Sequence, residues 1–124
     1  MLKKFIFTVI IFSNSYAWAN WINFGGNSIL TVYIDPASLR KDGNFRKIWQ
    51  LQDLQQRDKD GEFSRRVRME YDCKNERFRA LSWTMHSAQM AQGEILSDNS
   101  KAAQWSDIPP GTIADDILKL VCTK

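Results

Sequence analysis

From Phe63 to Cys73 the chain alternates. Phe63, Val67, Met69, Tyr71 and Cys73 share one parity, with Arg65 as its one polar member. Ser64, Arg66, Arg68, Glu70 and Asp72 share the other. Side chains alternate across a strand, so this pattern predicts one apolar and one polar face. Lys74-Asn75 is the expected turn, because Asn tolerates the positive φ of a tight hairpin. A slip to a four-residue loop is the alternative. With a two-residue turn, Cys73 falls opposite Glu76, Asp72 opposite Arg77, Tyr71 opposite Phe78 and Glu70 opposite Arg79. Two opposite-charge pairs on one face make that register self-consistent. Farther out, Arg68 is expected opposite Leu81. Arg66 is expected opposite Trp83, close enough to stack on the ring.

The same patterning predicts elements on either side of this hairpin. Trp21 to Phe24 is a short strand stopped by Gly25-Gly26. Ile29 to Asp35 is a second strand, with Leu30, Val32 and Ile34 on one face. Pro36 ends it, and Pro36 to Leu39 reads as a single turn. Asp42-Gly43-Asn44 signals a turn. Phe45 to Leu54 is a third strand, with Trp49 and Leu51 inward and Gln50, Gln52, Gln55 and Gln56 as a polar outer row. Asp60-Gly61 is a hairpin turn into the central strand. Met90 to Leu96 is a short last strand, Asp98-Asn99-Ser100 is loop, and Trp105 is expected to pin that loop to the body.

Pro109-Pro110-Gly111 ends the extended part of the chain. Thr112 with Asp115 three residues on resembles a capping box, so a helix starts there. Ile113, Ile117, Leu120 and Val121 form its apolar stripe, with Leu118 and Cys122 at the border. Asp115 and Asp116 near its start and Lys119 near its end suit the helix dipole. The predicted architecture is α+β: an antiparallel meander of five to six strands with one C-terminal helix packed on one face.

The N-terminus changes the picture of charge. Met1 to Ala19 has Lys3 and Lys4, an apolar run from Phe5 to Phe12 broken only by Thr8, and a small-x-small site at Ala17-Trp18-Ala19. This is the pattern of a secretory signal peptide over 1–19, too short in its apolar run to span a bilayer. Cleavage before Asn20 removes 19 of the 124 residues and leaves 105 as one domain, 20–124. Loss of Lys3 and Lys4 takes Lys plus Arg from 17 to 15 against 14 Asp plus Glu, so the mature charge is +1. A general nucleic-acid or membrane-surface role fails on that charge. No later segment is apolar enough to be transmembrane. No cysteine follows the cleavage site, so no N-terminal lipid anchor is expected, and the location is periplasm or cell surface.

Export also bears on the two cysteines. Cys73 and Cys122 are the only pair, and an exported chain favours a disulfide between them. An intermolecular bridge or two buried thiols are the alternatives. An internal bridge would clamp the helix over the face that Cys73 shares with Tyr71. Two cysteines and the lone His86 cannot build a closed zinc site, so no metal or cofactor is expected. Adjacent Asp115 and Asp116 diverge on a helix and make no acid–base pair. Gly25-Gly26 lacks the strand-to-helix setting of a phosphate loop. A catalytic constellation is absent from the pattern, and an enzyme is not expected.

What remains are surfaces. Arg65, Arg66 and Arg68 cluster on the central strand, with Arg77 and Arg79 on the next. They form either a solvated face paired with Glu70 and Asp72, or a site for an acidic or sulfated partner. Leu81, Trp83 and Met85 add an apolar row that suits a protein interface or a homodimer face, unless the 88–106 loop covers it. The candidate partner-binding residues are therefore Arg65, Arg66, Arg68, Arg77, Arg79 and Trp83.

Several short motifs occur in a telling order: Trp21-Ile22-Asn23-Phe24-Gly25, Val32-Tyr33-Ile34-Asp35, Tyr71-Asp72-Cys73, Arg77-Phe78-Arg79, Trp105, Ile108-Pro109-Pro110-Gly111-Thr112 and Val121-Cys122. In this set the mature chain resembles the surface-adhesin protein E family of Gram-negative bacteria. The resemblance implies an antiparallel sheet with a C-terminal helix tied to it by a disulfide. It also implies an adhesin whose partners are host extracellular-matrix or serum proteins. The family's adhesin is held by a lipid on a cysteine at the cleavage site, where this chain has Asn20. A soluble periplasmic domain that binds a small molecule or supports an envelope complex is the alternative function.

Overall fold

The computed structural model describes residues 20–123. The signal peptide expected over 1–19 lies outside them. Strands β1 (Ile22–Gly26), β2 (Leu30–Asp42), β3 (Phe45–Leu54), β4 (Ser64–Asp72), β5 (Arg77–His86), β6 (Ile95–Asn99) and β7 (Ser106–Asp107) precede one helix, α1 (Ile113–Cys122). The sheet is antiparallel in the order β1-β2-β3-β4-β5-β6, and the two-residue β7 pairs with β5. The expected meander of five to six strands is thus six strands plus a short seventh.

One face of the sheet carries the core. Val32, Ile34, Ile48, Val67, Met69 and Tyr71 are buried there against Ile117, Leu118 and Val121 of α1, with Ile108 alongside. Thr112 caps α1, accepting from the Asp115 amide at 3.2 Å. Asp115 in turn accepts from the Gly111 amide at 3.1 Å and pairs with Lys119 at 3.2 Å. The polar start and amphipathic stripe therefore set the helix, and its apolar stripe decides where it lands. Cys73 and Cys122 form the internal disulfide, with a Cα–Cα separation of 5.7 Å. It ties the end of α1 to the tip of the β4–β5 hairpin.

Several strand details differ from the pattern-based expectation. β1 runs through Gly25 and Gly26, with a bulge between Asn23 and Gly25. Gly26 is required there: a Cβ would stand 2.5 Å from the Leu30 carbonyl oxygen. Pro36 does not end β2. The strand continues to Asp42, with a register break between Asp35 and Arg40. Pro36 has no N–H for the ladder, so the chain bulges. Ser38 fills the break, donating to the Asp35 carbonyl at 2.6 Å and accepting from the Trp49 amide at 2.9 Å. The last long strand is β6, so Asp98 and Asn99 are paired rather than loop.

β3 is turned over relative to expectation. Ile48 and Gln50 face the core side, opposite Met69 and Val67. Trp49 and Leu51 lie on the other face, opposite Arg68 and Arg66. Leu51 is fully buried all the same. Both rows of β3 contain apolar residues, so its alternation is ambiguous. Gln50 is tolerated inside because it accepts the Tyr71 hydroxyl proton.

The tip of the central hairpin is a four-residue loop over 73–76, not the two-residue Lys74-Asn75 turn. Asp72 organises it. One carboxylate oxygen accepts from the amides of Lys74 and Asn75, and the other from the Asn75 side chain and from Arg77. The pairs Asp72–Arg77, Tyr71–Phe78 and Glu70–Arg79 stand as expected. Beyond Met69–Ala80 the ladder slips by one: Arg68 meets Ser82, and Leu81 has no partner. This bulge overturns the expected pairs Arg68–Leu81 and Arg66–Trp83. Trp83 instead meets Val67, on the core side of the sheet.

Candidate functional site

The six candidate residues separate into three settings. Arg65 and Trp83 come together on the core side. The Leu81 bulge turns Trp83 toward α1's side of the sheet, and the Arg65 guanidinium lies 5.1 Å from the Trp83 ring centre. Arg65 also makes a two-pronged contact with the buried Glu62, at 2.8 and 3.2 Å. The pair frames an open groove of about 270 Å³. Gln52, Val67, Met69, Phe78, Arg79 and Ala80 line it on the sheet, Ala103 and Gln104 line it from the segment before β7, and Ser106 lines it from β7 itself.

Arg77 and Arg79 have a different job. Arg77 pairs with Asp72 at 3.0 Å and Arg79 with Glu70 at 2.7 Å. Both also lie over Trp105, at 5.2 and 4.4 Å from its centre, and Phe45 flanks the same ring at 5.8 Å. Trp105 is thereby pinned to the sheet, as its position in the sequence suggested. Burial opposes ionisation of Asp72, but hydrogen bonds from Asn75, Arg77 and two backbone amides outweigh it and hold its pKa at about 2.

Arg66 and Arg68 lie on the sheet face opposite α1. The Arg66 guanidinium rests 4.1 Å from the centre of the Trp49 ring. None of the four ion pairs among the described residues includes Arg66 or Arg68. His86 ends the same strand face, buried, with Nε2 at 2.8 Å from the Thr84 hydroxyl. Burial, and then the charge of Arg66, lower its pKa. The described residues contain no cluster of three or more His, Cys, Asp or Glu able to hold a metal. No helix among them is long and apolar enough to cross a membrane.

Sequence patterning missed four participants. The pattern places Trp49 inward, which hides its role as the bed for Arg66. Glu62 follows the Asp60-Gly61 turn and is singled out by no pattern, although an acid three residues before an out-of-pattern arginine is a recognisable signal. Ala103 and Gln104 carry no motif, and only the path of the chain along β5 brings them to the groove.

Comparison with known proteins agrees with this architecture. A search of curated proteins finds no match. Solved structures of Haemophilus influenzae protein E share the fold. The selenomethionine form aligns with a TM-score of 0.61 at 16% identity, covering 74% of this chain and 78% of that one. A second crystal form gives 0.59 at 16% identity, covering 74% and 80%. A third structure gives 0.57 at 16% identity, covering 83% of each chain. The family model for surface-adhesin protein E matches residues 21–123, and the chain belongs to that family.

Proposed function

We propose that residues 20–124, exported by the signal peptide at 1–19, form a non-enzymatic, adhesin-like module that binds a host matrix or serum protein through the β4–β5 hairpin. The observation that carries this reading is the groove framed by Arg65 and Trp83. An apolar floor with a tryptophan and an arginine at its border is the composition of a protein-interface anchor site. A bulge re-aims Trp83 into that place, and bulges recur where a strand must redirect a side chain. The groove opens to solvent beside β5 and is not enclosed between sheet and helix. That favours a partner's side chain over an engulfed small molecule. Family membership supports the adhesin class, and the partner is proposed on the same ground.

The test is binding of purified 20–124 to immobilised host matrix and serum proteins, before and after filling the groove. Ala103→Trp, at an exposed lining position, should abolish binding while leaving the melting temperature unchanged. Full binding by the filled variant would overturn the assignment. Location is tested by external protease on intact cells beside a periplasmic control. Cleavage with the control intact supports a surface adhesin, and protection supports a periplasmic binding module.

A further inference from the structure

We propose that the sheet face opposite α1 is a second, separate site, for the sulfate and carboxylate groups of a linear anionic polysaccharide, with Arg66 and Arg68 as the recognising side chains. The register places these rows side by side: Arg40–Lys47–Glu70–Arg79, Asp35–Trp49–Arg68–Ser82, and Tyr33–Leu51–Arg66–Thr84. Four cations on this face, Arg40, Lys47, Arg66 and Arg68, take part in none of the described ion pairs. Its carboxylates are largely committed elsewhere. Glu70 and Asp72 hold Arg79 and Arg77, and Asp53 accepts from the Met90 amide at 2.8 Å. Two exposed carboxylates lie at the margins of the face, Asp98 beyond Thr84 and Asp42 opposite Phe45. Asp35 stands on the far side of Trp49 from Arg68, with its Oδ1 enclosed. The three rows hold Arg40, Lys47, Arg66, Arg68 and Arg79 against Asp35 and Glu70, so the cationic part of this face is confined to them.

Shape and donor geometry select the ligand. The rows holding Arg66 and Arg68 carry no exposed aliphatic anchor, since Leu51 is fully buried. An aromatic protein anchor would have to be Trp49 or Tyr33, and Trp49 lies beneath the Arg66 guanidinium. A guanidinium resting on a ring, as Arg66 does on Trp49, uses its flat face and keeps its N–H edge for an oxyanion. Arg66 and Arg68 alternate on one strand, so their bases stand about 7 Å apart. That suits anionic substituents on neighbouring sugars, with Ser82 and Thr84 beside them to meet hydroxyl groups.

The probe is heparin, measured against purified 20–124 by titration at low and at physiological ionic strength. The expected result is saturable binding that weakens with salt, as contacts between exposed charges do. Chemically desulfated heparin should not bind. The Arg66→Ser/Arg68→Ser variant should lose affinity at least about tenfold, the effect of removing two charge-assisted contacts. Lys59→Gln/Lys101→Gln removes the same net charge from exposed positions elsewhere and should bind as the parent does. Ser82→Glu keeps both arginines and sets a carboxylate opposite Arg68, so it should also bind weakly even if the double arginine variant folds poorly. Absence of binding at low salt would overturn the proposal. So would equal losses in the arginine and lysine variants, undiminished binding by Ser82→Glu, or equally tight binding of polyglutamate, which would mark a general polyanion surface. None of these outcomes touches the groove, whose test is independent.

Discussion

The Tyr71 hydroxyl donates to Gln50 Oε1 across two strands, beneath α1, with both side chains buried. Neither group alone suits the interior. Burial raises the Tyr71 pKa, and the hydrogen bond from its hydroxyl to Gln50 is the compensation each group needs. Tyr71→Phe should destabilise the domain by about 1–3 kcal/mol, because it strands the Gln50 oxygen. Tyr71→Phe/Gln50→Leu should recover part of that loss. Urea unfolding of the two singles and the double measures the coupling, and purely additive losses would show that the pair is not a unit.

The Cys73–Cys122 bridge closes a sequence separation of 49 residues. A loop of that length should contribute about 4 kcal/mol in the chain-entropy model. Reductant, or Cys73→Ala/Cys122→Ala, should therefore lower the unfolding midpoint sharply, with α1 the first element to lose amide protection. Hydrogen exchange with and without reductant reads both effects.

Asp72 should make the domain acid-sensitive. Its folded pKa of about 2 lies below the ordinary value of 3.8. Its contribution is thus complete above about pH 4 and is lost as pH falls through about 2. Asp72→Asn should lower stability at neutral pH and flatten the acid limb of the melting curve. An unchanged acid limb would mean that another carboxylate governs it.

Trp105 holds the segment between β6 and β7 against Phe45, Arg77 and Arg79. Trp105→Ala should cost about 1–2 kcal/mol through the lost cation–ring contacts and packing. It should also hasten proteolysis within 100–107. Unchanged cleavage there would show that β7 pairing and the Ala103–Ala80 hydrogen bond suffice.

The parts of the fold legible in the sequence are those with a local physical signature. Thr112, Asp115 and the Ile113–Val121 stripe announce α1. Asp72–Arg77 and Glu70–Arg79 align the turn-proximal half of the hairpin. The distal half was not legible, because an unpaired Leu81 leaves no mark in an apolar–polar pattern that remains plausible on either register. One extra residue moved Trp83 to the opposite face and exchanged its arginine from Arg66 to Arg65. β3 failed for a related reason: Ile48 and Trp49 are both apolar, and the inward Gln50 makes sense only beside Tyr71. The candidate arginines lie close together in sequence. Their division between groove, Trp105 clamp and open face depends on strand pairing, which composition does not encode.

The bridge between Cys73 and Cys122 has a further consequence for the intact molecule. It makes β5, β6, β7 and α1 parts of a covalent ring, while β1 to β4 hang from it as a tail. The exposed stretch over 92–104 lies within that ring. A single cut there opens the ring without separating the pieces. A nicked molecule would gain only the one water of hydrolysis, remain one particle and migrate as two fragments only after reduction. Cleavage in that exposed stretch therefore leaves the two fragments attached.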